Sequence, residues 1–206
     1  MKFQCAVFDI DGTLMNSEEV LLKGLQQTLK QLTGKDYDLA DLQFAWGIPG
    51  VDTARRLNYP DEHQLCRAWE DAVTPFRREV HPYAGIEELL MQLKNAGLRI
   101  GIVTSQDRRE YDRAFPLKHF FEPELVVTAD QTVLHKPHPD PLLEILKRTG
   151  LTPDQVLYTG DTPYDSQCAK DAGIAFGLAV WGAAHPDQIR ADHYFRTPAE
   201  LARLCL

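Results

Sequence analysis

The sequence predicts an α/β protein, a doubly wound parallel sheet interrupted after its first strand by an all-helical insert. Three observations carry that prediction. From residue 82 onward, short apolar runs alternate with amphipathic helical stretches, the pattern of a parallel sheet covered by helices on both faces. One further apolar, β-prone run, Phe3 to Phe8, stands at the start of the chain. Between it and its fellows, from Leu14 to His81, the text reads as three or four helices with no strand of any length. A chain of 206 residues, 44% hydrophobic and 25% charged, can bury one good-sized core and carry a smaller insert. The expected division is a core of residues 1–14 and 82–206 and a helical cap of residues 15–81.

The elements follow in order. After the first strand comes the turn Asp9-Ile10-Asp11-Gly12-Thr13. Ser17 then stands where a helix cap belongs, and Val20, Leu21, Leu22, Leu25, Leu29 and Leu32 recur at helical spacing until Gly34 stops them. Leu39 to Phe44, Val51 to Leu57 and Glu62 to about Val80 are further helical stretches, separated by the breaker Gly47-Ile48-Pro49-Gly50 and by Pro60-Asp61. His81-Pro82-Tyr83-Ala84-Gly85 has the composition of a hinge. Beyond it, strands are expected at Leu98–Val103, Leu125–Val127, Val156–Tyr158 and Ala175–Val180, with a weak piece at Tyr194-Phe195. Helices are expected at Ile86–Asn95, Arg108–Phe115, Pro141–Thr149, Tyr164–Ala172 and Pro198–Leu204.

Charge narrows the functional classes. The net charge is −8, and no basic stripe is available to neutralise nucleic-acid phosphates. The pairs Arg55-Arg56, Arg77-Arg78 and Arg108-Arg109 are short and scattered, and read as solvated helix faces. No apolar run approaches membrane-spanning length, and the polar start Met1-Lys2-Phe3-Gln4 does not read as a signal peptide. Cys5, Cys66, Cys168 and Cys205 are dispersed without a Cys-x-x-Cys pair, which argues against zinc or a disulfide framework and for a reducing cytoplasm.

The chemistry gathers at strand ends. Period two sends Asp9 and Asp11 to one side while Ile10 points into the core. Two close carboxylates need a cation or a shared proton, and the carboxyl ends of strands are where ligands sit in open α/β sheets. Three other stretches are expected at such ends: Thr104-Ser105, the lysine of His135-Lys136-Pro137, and Gly160-Asp161-Thr162-Pro163-Tyr164-Asp165. Carboxylates, a lysine, a hydroxyl and turn N–H groups in one crevice suit a magnesium ion with a phosphoryl group. A carboxylate can accept the phosphoryl group, and a second can pass protons to the leaving alkoxide and from the attacking water.

In this order, the four stretches resemble the motifs of the haloacid dehalogenase-like superfamily of phosphatases: Asp-x-Asp-Gly-Thr, a Thr/Ser after an apolar strand, Lys-Pro, and Gly-Asp-x-x-x-Asp. The resemblance implies a Rossmann-like core, Mg2+ as cofactor, Asp9 as nucleophile and Asp11 as general acid and base. It further implies that Gly12, Thr104 and the Ser105 backbone hold the phosphate and that Lys136 neutralises it. Asp161 would ligate the metal with Asp9 and the Asp11 backbone carbonyl, and Asp165 would orient a metal-bound water or Lys136, or cap its helix. Because Asp11 is present, hydrolysis or transfer of a phosphate ester is expected rather than dehalogenation. The flavour is phosphoglycolate phosphatase-like, on a small phosphorylated metabolite, in a monomer or weak homodimer. Asn16-Ser17-Glu18-Glu19 departs from the Asp-Ser pair often found there. A β-phosphoglucomutase-type mutase and a pyrophosphatase share every core residue and remain alternatives.

The rest of the chain is less telling. Gly47-Ile48-Pro49-Gly50, Arg55 or Arg56, and Glu18 are candidates for substrate selection from the insert, and Arg108 or Arg109 for a substrate carboxylate. His135 and His138 read as loop residues beside Lys136, and Trp46, Trp69 and Trp181 as packing.

Overall fold

A computed structural model describes residues 3–206; Met1 and Lys2, which open the polar start noted above, lie outside the described residues. In chain order, β1 (Cys5–Phe8) leads to a two-residue strand β2 (Met15–Asn16). The insert then runs through α1 (Glu18–Thr33), α2 (Leu39–Leu42), α3 (Gly50–Arg56) and α4 (Glu62–Val73). The chain returns through β3 (His81–Pro82) to α5 (Ile86–Asn95), β4 (Arg99–Val103), α6 (Arg108–Ala114), β5 (Val126–Val127) and α7 (Asp140–Thr149). It closes with β6 (Val156–Gly160), α8 (Pro163–Ala172), β7 (Ala175–Ala179), β8 (His193–Phe195) and α9 (Pro198–Cys205).

Six strands form one parallel sheet in the order β5-β4-β1-β6-β7-β8. β1 therefore lies in the middle, with Cys5 level with Arg99 on one side and with Val156 on the other. Its four residues are all buried, and their parity divides them between two cores. Ala6 and Phe8 join Ile10, the leucines of α5 and Leu201 of α9 on one face. Cys5 and Val7 join Leu142 and Ile145 of α7 and Cys168 and Ala169 of α8 on the other. A strand buried on both sides reads as continuous apolar text, which is why Phe3 to Phe8 shows no alternation. The four cysteines are free, with Cys66 alone only half-buried. No described helix is long and apolar enough to cross a membrane.

The insert has a core of its own, in which Leu22, Leu25 and Leu29 of α1 meet Leu42, Ala54 and Leu65. Three details differ from the sequence reading. Ser17 occupies the N-cap position of α1 without making a side-chain cap; its hydroxyl donates to Asp11 Oδ1 at 2.6 Å instead. The stretch expected to be helical to Val80 is α-helical only to Val73 and continues as a 3₁₀ segment, Thr74–Glu79. Pro75 lacks the N–H that an α-helix would use there, although Thr74 before it keeps the α conformation (φ −50°, ψ −43°). Lastly, β2 and β3 pair antiparallel, Met15 with Pro82 and Asn16 with His81. The two chain crossings thus form a ribbon, continued where the Tyr83 N–H donates to the Leu14 carbonyl at 3.1 Å. Two residues are too few to show period two in a sequence.

Candidate active site

The turn after β1 is tightly wound. The N–H groups of Leu14 and Met15 donate to the Ile10 carbonyl, each at 2.9 Å, and Gly12 N–H donates to the Met15 carbonyl at 2.8 Å. Gly12 has φ +81°, and a Cβ built on it would lie 2.2 Å from Asp161 Oδ2. Both its conformation and its closeness to that carboxylate require glycine. The turn thereby sets Asp9, 3% exposed, against the end of β6, while Asp11 faces outward with Oδ1 on Ser17 and Oδ2 accepting from Gln106 Nε2 at 2.7 Å.

Asp9, Asp161 and Asp165 form a buried acidic cluster whose ligand oxygens lie within 4.8 Å of one another. Lys136 is set into it, 3.0 Å from Asp9 Oδ2 and 2.7 Å from Asp165 Oδ1. One ammonium among three buried carboxylates leaves a charge deficit, and the pKa shifts express it. Burial pushes Asp9 up to about 7, against the pull of Lys136 and with the push of Asp165 and Asp11. Asp161 is driven well above the carboxylate range by burial and by the charges of Asp165 and Asp9. Asp165 goes the other way, because Lys136 outweighs its burial and holds it below the usual range. For Lys136, the two carboxylates outweigh burial and hold the proton more firmly than usual.

Each acid is also fixed by hydrogen bonds. Asp161 accepts from Thr13 Oγ1 at 2.8 Å and from the indole of Trp46, in the insert, at 3.0 Å. Asp165 does two jobs with two oxygens. Its Oδ2 accepts from the Thr162 N–H at 3.0 Å in a capping box at the start of α8, and its Oδ1 accepts from Lys136 and from the Tyr158 hydroxyl at 2.6 Å. The N-cap itself is Thr162, with Asp165 its reciprocal partner three residues on, and the same Asp165 side chain holds Lys136. Such a donor set, oxygen-only and short of positive charge, fits a hard divalent cation.

Thr104 follows the last residue of β4 and is 5% exposed; its N–H donates to the Val127 carbonyl and its Oγ1 accepts from the Gln106 N–H. Ser105 sends its hydroxyl to the Gly47 carbonyl of the insert at 2.8 Å. Between these strand ends and the insert lies a cavity of about 100 Å³, lined on the sheet side by Asp9, Asp11, Ser105 and Gln106.

The insert's side of the cavity was only partly legible. Gly47, Ile48 and Gly50 line it as anticipated, whereas Arg55 pairs with Asp52 and Glu62. Arg56 lies over the Tyr164 ring and donates to its hydroxyl, and Glu18 accepts from Gln43. Arg108 lies over the Tyr111 ring rather than in the cavity. Trp46, read as packing, donates to a site carboxylate, and Arg77, read as a solvated face, lines the cavity with Trp69, Glu70 and Val73. A signal for these was available. Cys66, Trp69, Glu70 and Val73 recur at helical spacing, a stripe that α4 turns to one side.

Sheet, switch-point acids and inserted helices together define a hydrolase of the doubly wound kind with its site beneath an insert. A family model for haloacid dehalogenase-like hydrolases matches residues 6–179, and the chain belongs to that family. A structure from Lactobacillus plantarum, provisionally described as a phosphoglycolate phosphatase, is 32% identical with a TM-score of 0.87, covering 99% of this chain and 100% of that one. The pyrophosphatase PpaX of Bacillus cereus (strain AH820) is 29% identical, covering 93% of this chain and 91% of its own. CbbY of Rhodobacter sphaeroides, solved with phosphate, shares the fold at 22% identity and a TM-score of 0.82, over 97% and 96% of the two chains.

Proposed function

We propose that the protein is a magnesium-dependent phosphatase of small phosphorylated metabolites, phosphoglycolate-like in substrate, working through an aspartyl phosphate at Asp9. The observation that carries this reading is the buried trio Asp9, Asp161 and Asp165 around Lys136, opening through Asp9 and Asp11 into a small cavity. Residues 15–81 act as a cap on a core of residues 1–14 and 82–206.

Asp9 attacks the phosphorus, and the bond to the leaving oxygen breaks as Asp11 gives that oxygen a proton. Asp11, now ionised, takes a proton from a water whose oxygen attacks the phosphorus, and the bond to Asp9 breaks to release phosphate. Asp11 is suited to both transfers because it lines the cavity and is held by Ser17 and Gln106 from opposite oxygens. Lys136, Thr104 and the N–H groups around Gly12 and Ser105 stabilise the charge on the transferred group. Asp9, the Asp11 carbonyl, Asp161 and Asp165 would hold or orient the magnesium, whose chemistry is to neutralise phosphoryl charge and set the group in line.

The test is phosphate release from 2-phosphoglycolate, hexose phosphates and pyrophosphate, with magnesium and with EDTA. Release that needs magnesium and disappears in Asp9→Asn is the expected result. Release that persists in Asp9→Asn would sink the covalent mechanism. The named relatives make 2-phosphoglycolate and pyrophosphate the first substrates to try.

A further inference from the structure

Arg77 lies in the 3₁₀ segment after α4 and lines the cavity from the insert. Its guanidinium has a single, loosely placed counter-ion among the described residues, Glu70. Its Nη2 is 3.7 Å from Glu70 Oε1, too long for a charge-assisted hydrogen bond. The same carboxylate oxygen sits 2.5 Å from Arg113 Nη1 of α6, an ion pair without hydrogen-bond geometry, so Glu70 is shared between the two arginines. The Arg77 Nε–H is buried with no hydrogen-bond partner among the described residues, a costly state for a cationic donor. Trp69 and Val73 of the insert line the same cavity, to which the turn after β1 contributes Asp9 and Asp11.

From this geometry we infer that Arg77 is the receptor for a second anionic group on the substrate, distal to the phosphoryl group taken by Asp9. The inference rests on the phosphatase reading and narrows it. The preferred substrates are small phosphate esters or anhydrides whose leaving group is itself an anion, a carboxylate or a second phosphoryl group. A cavity of about 100 Å³ keeps the two anions a few atoms apart. Glu70 is a positioning residue: it faces Arg77 from α4 while pairing with Arg113 across the boundary between insert and core. The cationic side chains expected from sequence to meet such a group, Arg55, Arg56 and Arg108, are occupied elsewhere.

The experiment uses non-hydrolysable analogues and the whole chain with saturating magnesium, so it does not depend on turnover. Calorimetric titration compares 3-phosphonopropionate and methylenediphosphonate, which carry a second anion, with propylphosphonate, which does not. Wild type is expected to favour the doubly anionic analogues by about 10- to 100-fold, the worth of a desolvated charge-assisted contact. Arg77→Gln should remove most of that preference, and Arg77→Lys should keep part of it. A preference for only one of the two identifies the distal group as carboxylate or phosphoryl. The inference is overturned if wild type binds all three alike, if the preference survives in Arg77→Gln, or if all three weaken in parallel in both variants. Arg77-dependent preference without phosphate release from any substrate would leave this subsite standing and refute the phosphatase reading; release without the preference would do the reverse.

Discussion

Replacing Lys136 with Met tests the electrostatic logic of the site directly. The two side chains are similar in volume, so a cavity is not the cause of any effect. The change removes the one ammonium from among three carboxylates, with Lys136, Asp9 and Asp165 side chains 1%, 4% and 0% exposed. Breaking a buried pair by deleting one partner costs about 3–5 kcal/mol. At about 2–4 °C per kcal/mol for a chain of this size, the variant should melt roughly 6–20 °C below wild type in EDTA at pH 8. The deficit should depend on pH in a definite direction. Asp9 already has a native pKa of about 7 against about 3.9 unfolded. Its contribution to stability is present below the unfolded value and fades as pH rises through the native one. Without Lys136 the native pKa of Asp9 rises further and Asp165 loses the charge that holds it low, so lowering the pH re-protonates them and narrows the gap by up to about 1.4 kcal/mol per unit. Urea denaturation in EDTA at pH 5 and pH 8 reads both effects. A deficit below about 1 kcal/mol at pH 8, or one equal at the two pH values, would refute the view that Lys136 compensates the acidic cluster.

Three further substitutions probe the supports of the site. Gly12→Ala forces a Cβ into the left-handed region and to within 2.2 Å of Asp161 Oδ2; it should cost at least about 1–2 kcal/mol and abolish the rise in melting temperature that magnesium gives wild type. Trp46→Phe removes the indole donor to Asp161 and should weaken magnesium binding about 10-fold by calorimetry, the usual effect of losing a partner behind a metal ligand. Glu110, on α6 beside the cavity, has its pKa raised by burial to about 7. Its share of stability is therefore full below the unfolded value and lost as pH rises through about 7, a change of about 3–4 kcal/mol in all, of which roughly 2–3 kcal/mol falls between pH 5 and pH 8. Glu110→Gln should flatten the pH dependence of urea denaturation between pH 5 and pH 8 by that amount, and an unchanged slope would contradict the assignment.

The core was legible because its signals are redundant. β1, β4, β6 and β7 are apolar runs closed by turn residues; the acids lie just beyond the ends of β1 and β6, and Lys136 lies in the loop between β5 and α7. What stayed hidden depends on contacts between segments far apart in sequence. Trp46 and Asp161 are 115 positions apart, and no local pattern pairs them. Arg77 looks like half of a surface Arg-Arg pair until Pro75 ends α4 and the 3₁₀ segment brings the guanidinium into the cavity. Ser17 carries a capping signal that goes unused, because its backbone lies in the α region (φ −118°, ψ −11°) rather than in the extended conformation of a capping residue, while its hydroxyl donates to Asp11. The β2–β3 ribbon was missed because two residues cannot express a period.

Those long-range contacts also explain how specificity and chemistry are joined. The insert meets the core through Trp46 on Asp161, the Gly47 carbonyl on Ser105, Arg56 on Tyr164, and Glu70 on Arg113. Each ends on a group at or beside the acidic cluster and the cavity. Net values of about 0.5–1.5 kcal/mol for a hydrogen bond and less than about 1 kcal/mol for a pair as open as Glu70–Arg113, whose arginine is 39% exposed, make the total only a few kcal/mol. If the insert acts as the proposed cap, closure on that scale is weak enough for it to open and admit substrate. A distal anion bound at Arg77 would bear on the same side of the cavity as Glu70, adding to closure only for substrates that carry it. Discrimination would then be exercised where the cap meets the core, before Asp9 is committed to a phosphoryl group.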